Sequence, residues 1–212
     1  MVPRTNSPVL KAFANVITYF FHPVFMPTMV AFILYNLSAT SFAGVSPHDF
    51  GKWMMVIIIN TMFFPLVLVA LLKGLGFITS IRMYDPKDRI IPLIGTMVFY
   101  FWAYHVFATM ASPFLLRVLL LGAFWGVIVV FMVNIFFKAS IHTAASGSFI
   151  GIMLILMFIS PVSMVFPFFL SLICGGLVGS ARLILGAHRP FEIYLGYLLG
   201  IIVQVAAYFY LR

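Results

Sequence analysis

Charge is scarce in this chain. Only 8% of its 212 residues are charged, and just four are acidic: Asp49, Asp85, Asp88 and Glu192. With 64% hydrophobic residues and a mean hydropathy of +1.19, it does not have the composition of a soluble globular domain. There is one cysteine, Cys174, and it lies in an apolar run, so an internal disulfide is excluded. No polar domain is present to offer a face to nucleic acid, so nucleic acid is not an expected partner. The formal net charge of +8 points instead to anionic lipid headgroups, an anionic substrate or topology signals.

Apolar runs fill most of the chain, at 12–37, 53–72, 91–110, 114–137, 148–179 and 193–211. A helix crosses about 30 Å of hydrocarbon with about 20 apolar residues. The pattern predicts an all-α integral membrane protein, a polytopic bundle of six to seven transmembrane helices forming one domain over 1–212. The basic N-terminus, MVPRTNSPVLK, leads into a run too long for a signal-peptide core, so a retained first span is expected. His22, Pro23 and Pro27 predict a kink in that span. The residues 38–52 read as a loop without chemistry. Run 148–179 is too long for one crossing, at about 48 Å as a single helix. Ser160-Pro161-Val162-Ser163 at its middle reads as a turn, which makes two helices and seven spans in all.

The few charges are not scattered. Basic and histidine side chains gather in Arg82–Arg89 (RMYDPKDR), Lys138–His142 (KASIH) and Arg182–Glu192 (RLILGAHRPFE). A charge at mid-membrane costs roughly 2.5–3.5 kcal/mol on insertion scales, so such residues usually mark function. Two crossings separate the first two clusters, with Ala111-Ser112-Pro113 as the turn between them, so those clusters share one membrane face. The third joins them only if 148–179 crosses twice.

Their chemistry suits a phosphoryl group. His188 and Glu192 are four apart and would lie on one helical face. A carboxylate on one imidazole nitrogen fixes the tautomer and leaves the other nitrogen as nucleophile or base. His142 supplies a second imidazole for acid–base work. Arg82, Arg89 and Arg182 carry planar forks that match phosphate oxygens. Arg82 and Arg89 are seven apart, about two helical turns.

These segments resemble the three motifs of the type 2 phosphatidic acid phosphatase (lipid phosphate phosphatase) superfamily, KxxxxxxRP, PSGH and SRxxxxxHxxxD. The first stands here as RMYDPKDRI, with Arg82 for lysine and Ile90 for proline. The second stands as ASIH, with Ala139 and Ile141 for proline and glycine. The third stands as ARLILGAHRPFE, with Ala181 for serine and Glu192 for aspartate. Order and internal spacing agree across 82–192, the motif-bearing core. The resemblance implies His188 as a nucleophile forming a phosphohistidine, Glu192 orienting it and His142 protonating the leaving group. It implies Arg82, Arg89, Arg182 and Ser140 as phosphate ligands, and neither metal nor other cofactor. Lys138 and Arg189 are possible auxiliary cations or interfacial anchors. The implied partner is a phosphorylated membrane lipid such as undecaprenyl diphosphate, phosphatidate, phosphatidylglycerophosphate or a lipid A phosphate. The implied location is a bacterial inner membrane, multi-pass.

Two rivals stand beside this reading. A metal-dependent lipid-headgroup enzyme needs several aspartates at Mg²⁺ spacing, and only Asp85 and Asp88 are close. A non-catalytic carrier or binder of phosphorylated lipid would reuse the cationic pocket without needing two histidines. His22 and His105 read as helix-packing histidines and His48 as a solvated one. Asp85 and Asp88 read as neutralising Lys87 and Arg89. The resemblance puts the site on the outer face. Lysine and arginine counting, with Lys11, Lys73 and Lys138 on the motif side, puts it in the cytoplasm.

Overall fold

The computed structural model describes residues 7–81 and 86–212. Nine α-helices occur among them: α1 (Pro8–Phe20), α2 (Met26–Leu37), α3 (Pro47–Ile58), α4 (Phe64–Gly74), α5 (Ile90–Thr109), α6 (Phe114–Asn134), α7 (Ile141–Ile159), α8 (Val165–Ile184) and α9 (Pro190–Leu211). A π-helical turn, Ile59–Phe63, joins α3 and α4 into one 28-residue segment, Pro47–Gly74. That segment and α5 to α9 make six helices long and apolar enough to cross a membrane.

Run 148–179 divides where the proline turn predicts, α7 ending at Ile159 and α8 starting at Val165. The two helices reach 19 and 20 residues because they recruit flanking polar and small residues. The first run behaves differently. It is not one kinked span but two short helices broken at 21–25. Pro23 and Pro27 lack the N–H groups that would continue the helix. α1 then packs on α8, and α2 packs on α3, α6 and α7. The expected loop 38–52 is also shorter. Ser46 caps α3 by accepting the Asp49 N–H at 3.1 Å, with Pro47 at the first helical position, so His48, Asp49 and Lys52 are helical.

The π turn has a local cause. Pro65 cannot donate to the Thr61 carbonyl four residues back, and the buried Tyr100 hydroxyl on α5 donates to that carbonyl at 3.4 Å.

α7 is the most buried span, and its closest partner is α9. Both present paired glycines four apart, Gly147 and Gly151 against Gly196 and Gly200. A Cβ on Gly200 would collide with the Ala144 carbonyl oxygen and come within 2.6 Å of the Ser148 nitrogen. A Cβ on Gly147 would collide with the Tyr197 carbonyl. Without side chains there, the two backbones touch, the small-residue packing that helices use where lipid removes the hydrophobic drive. Gln204, fully buried on α9, donates to the Val118 carbonyl on α6 at 2.9 Å and ties in a third helix.

Successive long helices alternate in direction, so the connections fall into two sets. At one end lie 21–25, the segment between α4 and α5, 135–140 and 185–189. At the other lie 38–46, 110–113 and 160–164.

Candidate functional site

The described part of the first basic cluster, Pro86–Arg89, and the whole of the other two fall in the first set of connections or the helix ends beside them. The starts of α7 and α9 are joined directly, the Ser140 N–H donating to the Glu192 carbonyl at 3.2 Å. This contact continues the glycine seam and fixes His142, two residues on, relative to His188 and Glu192.

His188 sits in the turn ahead of α9, not on the helix as its spacing suggests, and Glu192 lies in the first turn. The pair forms nonetheless. The His188 Nδ1–H donates to Glu192 Oε2 at 3.0 Å, with the His188 side chain only 3% exposed. The same oxygen accepts the Arg189 N–H at 3.1 Å, the carboxylate half of a capping box, with Pro190 opening the helix. The tautomer is thereby set, and Nε2 of His188 is the nitrogen left for chemistry. Burial pushes the His188 imidazole below its ordinary range. The Glu192 hydrogen bond opposes that push, and the Arg182 and Arg89 guanidinium groups reinforce it. A neutral imidazole at neutral pH is what a nucleophile requires.

Arg182 stands in the last turn of α8, within electrostatic reach of His22, His142 and His188 alike. Arg89 closes a short 3₁₀ turn, Pro86–Arg89, is 9% exposed, and lies near enough to Glu192 and Arg182 to act on both charges. Arg82, Asp85 and the rest of that cluster's start lie outside the described residues. Asp88 does not merely neutralise its neighbours. It accepts from the Thr79 N–H at 3.1 Å and from the Thr79 hydroxyl, holding the segment after α4 in place.

Ser140, fully buried, is the N-cap of α7. Its Oγ accepts the Thr143 N–H at 3.4 Å, and its carbonyl accepts the Thr143 hydroxyl at 3.1 Å. His142 follows in the first turn. Its Nε2 and the Nε of Arg182 are buried with no hydrogen-bond partner among the described residues. Buried polar atoms are normally paired, so orphans on these two groups suit a site that receives a polar ligand. Lys138 is half-buried and Arg189 exposed at the same end.

One residue here was not expected. His22, in the break between α1 and α2, meets the His142 ring edge-to-face, with centroids 5.1 Å apart and planes at 89°. The sequence signal that could have found it is the His-Pro pair ending an apolar helix at the level of the other histidines.

An apolar cleft of about 80 Å³ adjoins this end. It runs between α2, α5, α6, α7 and α9, lined by residues such as Met26, Val30, Leu93, Val130 and Phe149. Pro23 and Ile141, the neighbours of His22 and His142, line it too.

No family model matches the chain, and no curated protein or solved structure matches it.

Proposed function

We propose that this protein is a metal-independent lipid phosphate phosphatase working through a phosphohistidine. The observation that carries the reading is the buried His188–Glu192 pair, gathered at one end of the bundle with His142, Arg89 and Arg182 from three other elements.

In this mechanism His188 Nε2 attacks phosphorus. The bond from phosphorus to the lipid oxygen breaks, its electrons pass to that oxygen, and His142 gives the oxygen a proton. A lipid alcohol leaves, or a lipid monophosphate where the substrate is a diphosphate. Water then attacks the phosphohistidine, His142 takes the water proton, and the P–N bond breaks to free phosphate. Glu192 keeps Nε2 aimed and stabilises the charge that develops on the imidazole. Arg89 and Arg182, with Arg82 by resemblance, meet the negative charge spread over the phosphoryl oxygens. The Ser140 hydroxyl and the α7 N-terminus add donors on the same side. Lys138 and Arg189 are suited to a second phosphate or a headgroup.

The apolar cleft supports a lipid as the bearer of the phosphate, its hydrocarbon lying among α2, α5, α6 and α7 while the headgroup meets the arginines. Phosphatidate, phosphatidylglycerophosphate, undecaprenyl diphosphate and lipid A phosphates are the candidate substrates, in a bacterial inner membrane. A carrier of phosphorylated lipid would use the same pocket and cleft but has no need of an oriented imidazole. Assay of these lipids for released phosphate, with wild type and His188→Ala, separates the two. Loss of release in the variant supports the enzyme, and unchanged lipid transfer without any release supports the carrier.

A further inference from the structure

We infer that His22 is a positioning residue of this site, its ring holding the His142 imidazole in the orientation from which it protonates the leaving group. The inference rests on the phosphatase reading and adds a third histidine to it, from a part of the chain outside the motif-bearing core.

His22 is itself held. The Val24 N–H approaches its Nδ1 at 3.4 Å, so the neutral ring carries its proton on Nε2. The Phe25 ring packs against it with centroids 6.1 Å apart, and the Phe25 N–H bonds back to the His22 carbonyl at 2.9 Å. This is a tight turn, closed on itself by the proline break, that presents one imidazole to α7.

His142 is gripped from two sides. One is the perpendicular face-to-edge contact with His22. The other is the backbone of Thr18, which lies within electrostatic reach of the His142 ring. Thr18 lies in the last turn of α1, where carbonyls lose their helical partners. The His22 N–H, which would have continued the helix to Thr18, bonds to the Tyr19 carbonyl at 3.3 Å instead. The other charged or titratable groups that reach His142 are Arg182 from α8 and His188 from the turn before α9. Both belong to the phosphoryl side of the site, so α1 and the 21–25 turn supply the opposite wall.

A general acid works only when its N–H points at the departing oxygen. An edge-to-face aromatic contact biases ring rotamers by up to about tenfold, and that bias falls on the step in which the lipid oxygen takes its proton. It falls as well on the water proton that His142 takes when the phosphohistidine is hydrolysed.

The test uses full-length protein in detergent, as wild type, His22→Ala, His22→Phe, His142→Ala and His188→Ala. One substrate is phosphatidate, whose alkoxide leaving group needs a proton. The other is a long-chain alkyl-substituted 4-nitrophenyl phosphate, whose leaving group does not. His22→Ala is expected to lower kcat on phosphatidate about tenfold, a fraction of a full general-acid contribution, with KM within about twofold. His22→Phe, which keeps an aromatic ring against His142, should restore most of that loss. On the nitrophenyl ester, whose departure needs no proton, the first-turnover burst of nitrophenolate should approach wild type in His22→Ala and His142→Ala, whereas His188→Ala gives no burst. If His22→Ala does not fold, His22→Gln, polar but without a ring, takes its place. Wild-type turnover of phosphatidate by the ringless variant overturns the inference, as does a nitrophenolate burst slowed as much as phosphatidate turnover, or no recovery with phenylalanine. Those outcomes leave the phosphatase reading standing if wild type is active and His188→Ala is not. A wild-type protein that releases no phosphate from either substrate removes both.

Discussion

A single carboxylate oxygen of Glu192 accepts from two groups at the start of α9, the His188 ring nitrogen at 3.0 Å and the Arg189 backbone N–H at 3.1 Å. Helix capping and imidazole orientation therefore share one atom. The aim of the His188 imidazole, the proposed nucleophile, is fixed by the same bond that starts the last helix.

Glu192→Gln keeps the size and a cap acceptor but removes the charge that supports an imidazolium. Its kcat for lipid phosphate should fall by about two orders of magnitude or more, in line with other buried His–carboxylate pairs. Stability should fall by only about 1 kcal/mol, the scale of a weakened cap. Steady-state kinetics and thermal unfolding in detergent check this, and near-normal kcat would contradict it.

His188 should stay neutral below the ordinary histidine range. Its imidazole is pushed from 6.5 down to about 4, chiefly by burial. Because the folded value lies below the unfolded one, its contribution to stability is fully present above about 6.5 and is lost as pH falls towards 4. An NMR titration of labelled imidazole, assigned with His188→Gln, should give a midpoint well under 6.5. A midpoint at or above 6.5 would contradict the buried, neutral nucleophile.

Gly200→Ala should drive α7 and α9 apart, since the new methyl would meet the Ala144 carbonyl and the Ser148 nitrogen. A loss of about 1–3 kcal/mol is expected from such overpacking, together with reduced turnover as the Ser140–Glu192 bridge shifts. Gly176→Ala is the control, because a Cβ there meets nothing within 4 Å. Equal behaviour of the two variants in unfolding assays would remove the glycine seam from the account.

Turnover should persist in excess chelator and gain nothing from added Mg²⁺, because arginines supply the positive charge in the proposed chemistry. Phosphate release that EDTA abolishes and Mg²⁺ restores would favour the metal-dependent class instead.

The span pattern was legible because apolar runs and prolines are local signals. The break after Ile159 follows from Ser160-Pro161 alone. The first run is ambiguous in sequence because a kink and a full break share the same prolines, and only packing of α1 on α8 and α2 on α6 separates them. Spacing found the His188–Glu192 pair, although His188 lies before the helix, since a residue ahead of the N-cap can still reach the third helical position. From the sequence alone His22 reads as a packing histidine, because its partner, His142, lies far along the chain and no periodicity connects them. The glycine pairs on α7 and α9 were written in the sequence, but which faces meet depends on the tertiary arrangement.

The most direct measurement is phosphate release by the purified protein from a panel of phosphatidate, phosphatidylglycerophosphate, undecaprenyl diphosphate and lipid A, beside His188→Ala folded to the same thermal midpoint. The account predicts release from at least one lipid by the wild type and none by the variant. Release by both at equal rates, or by neither, would contradict it.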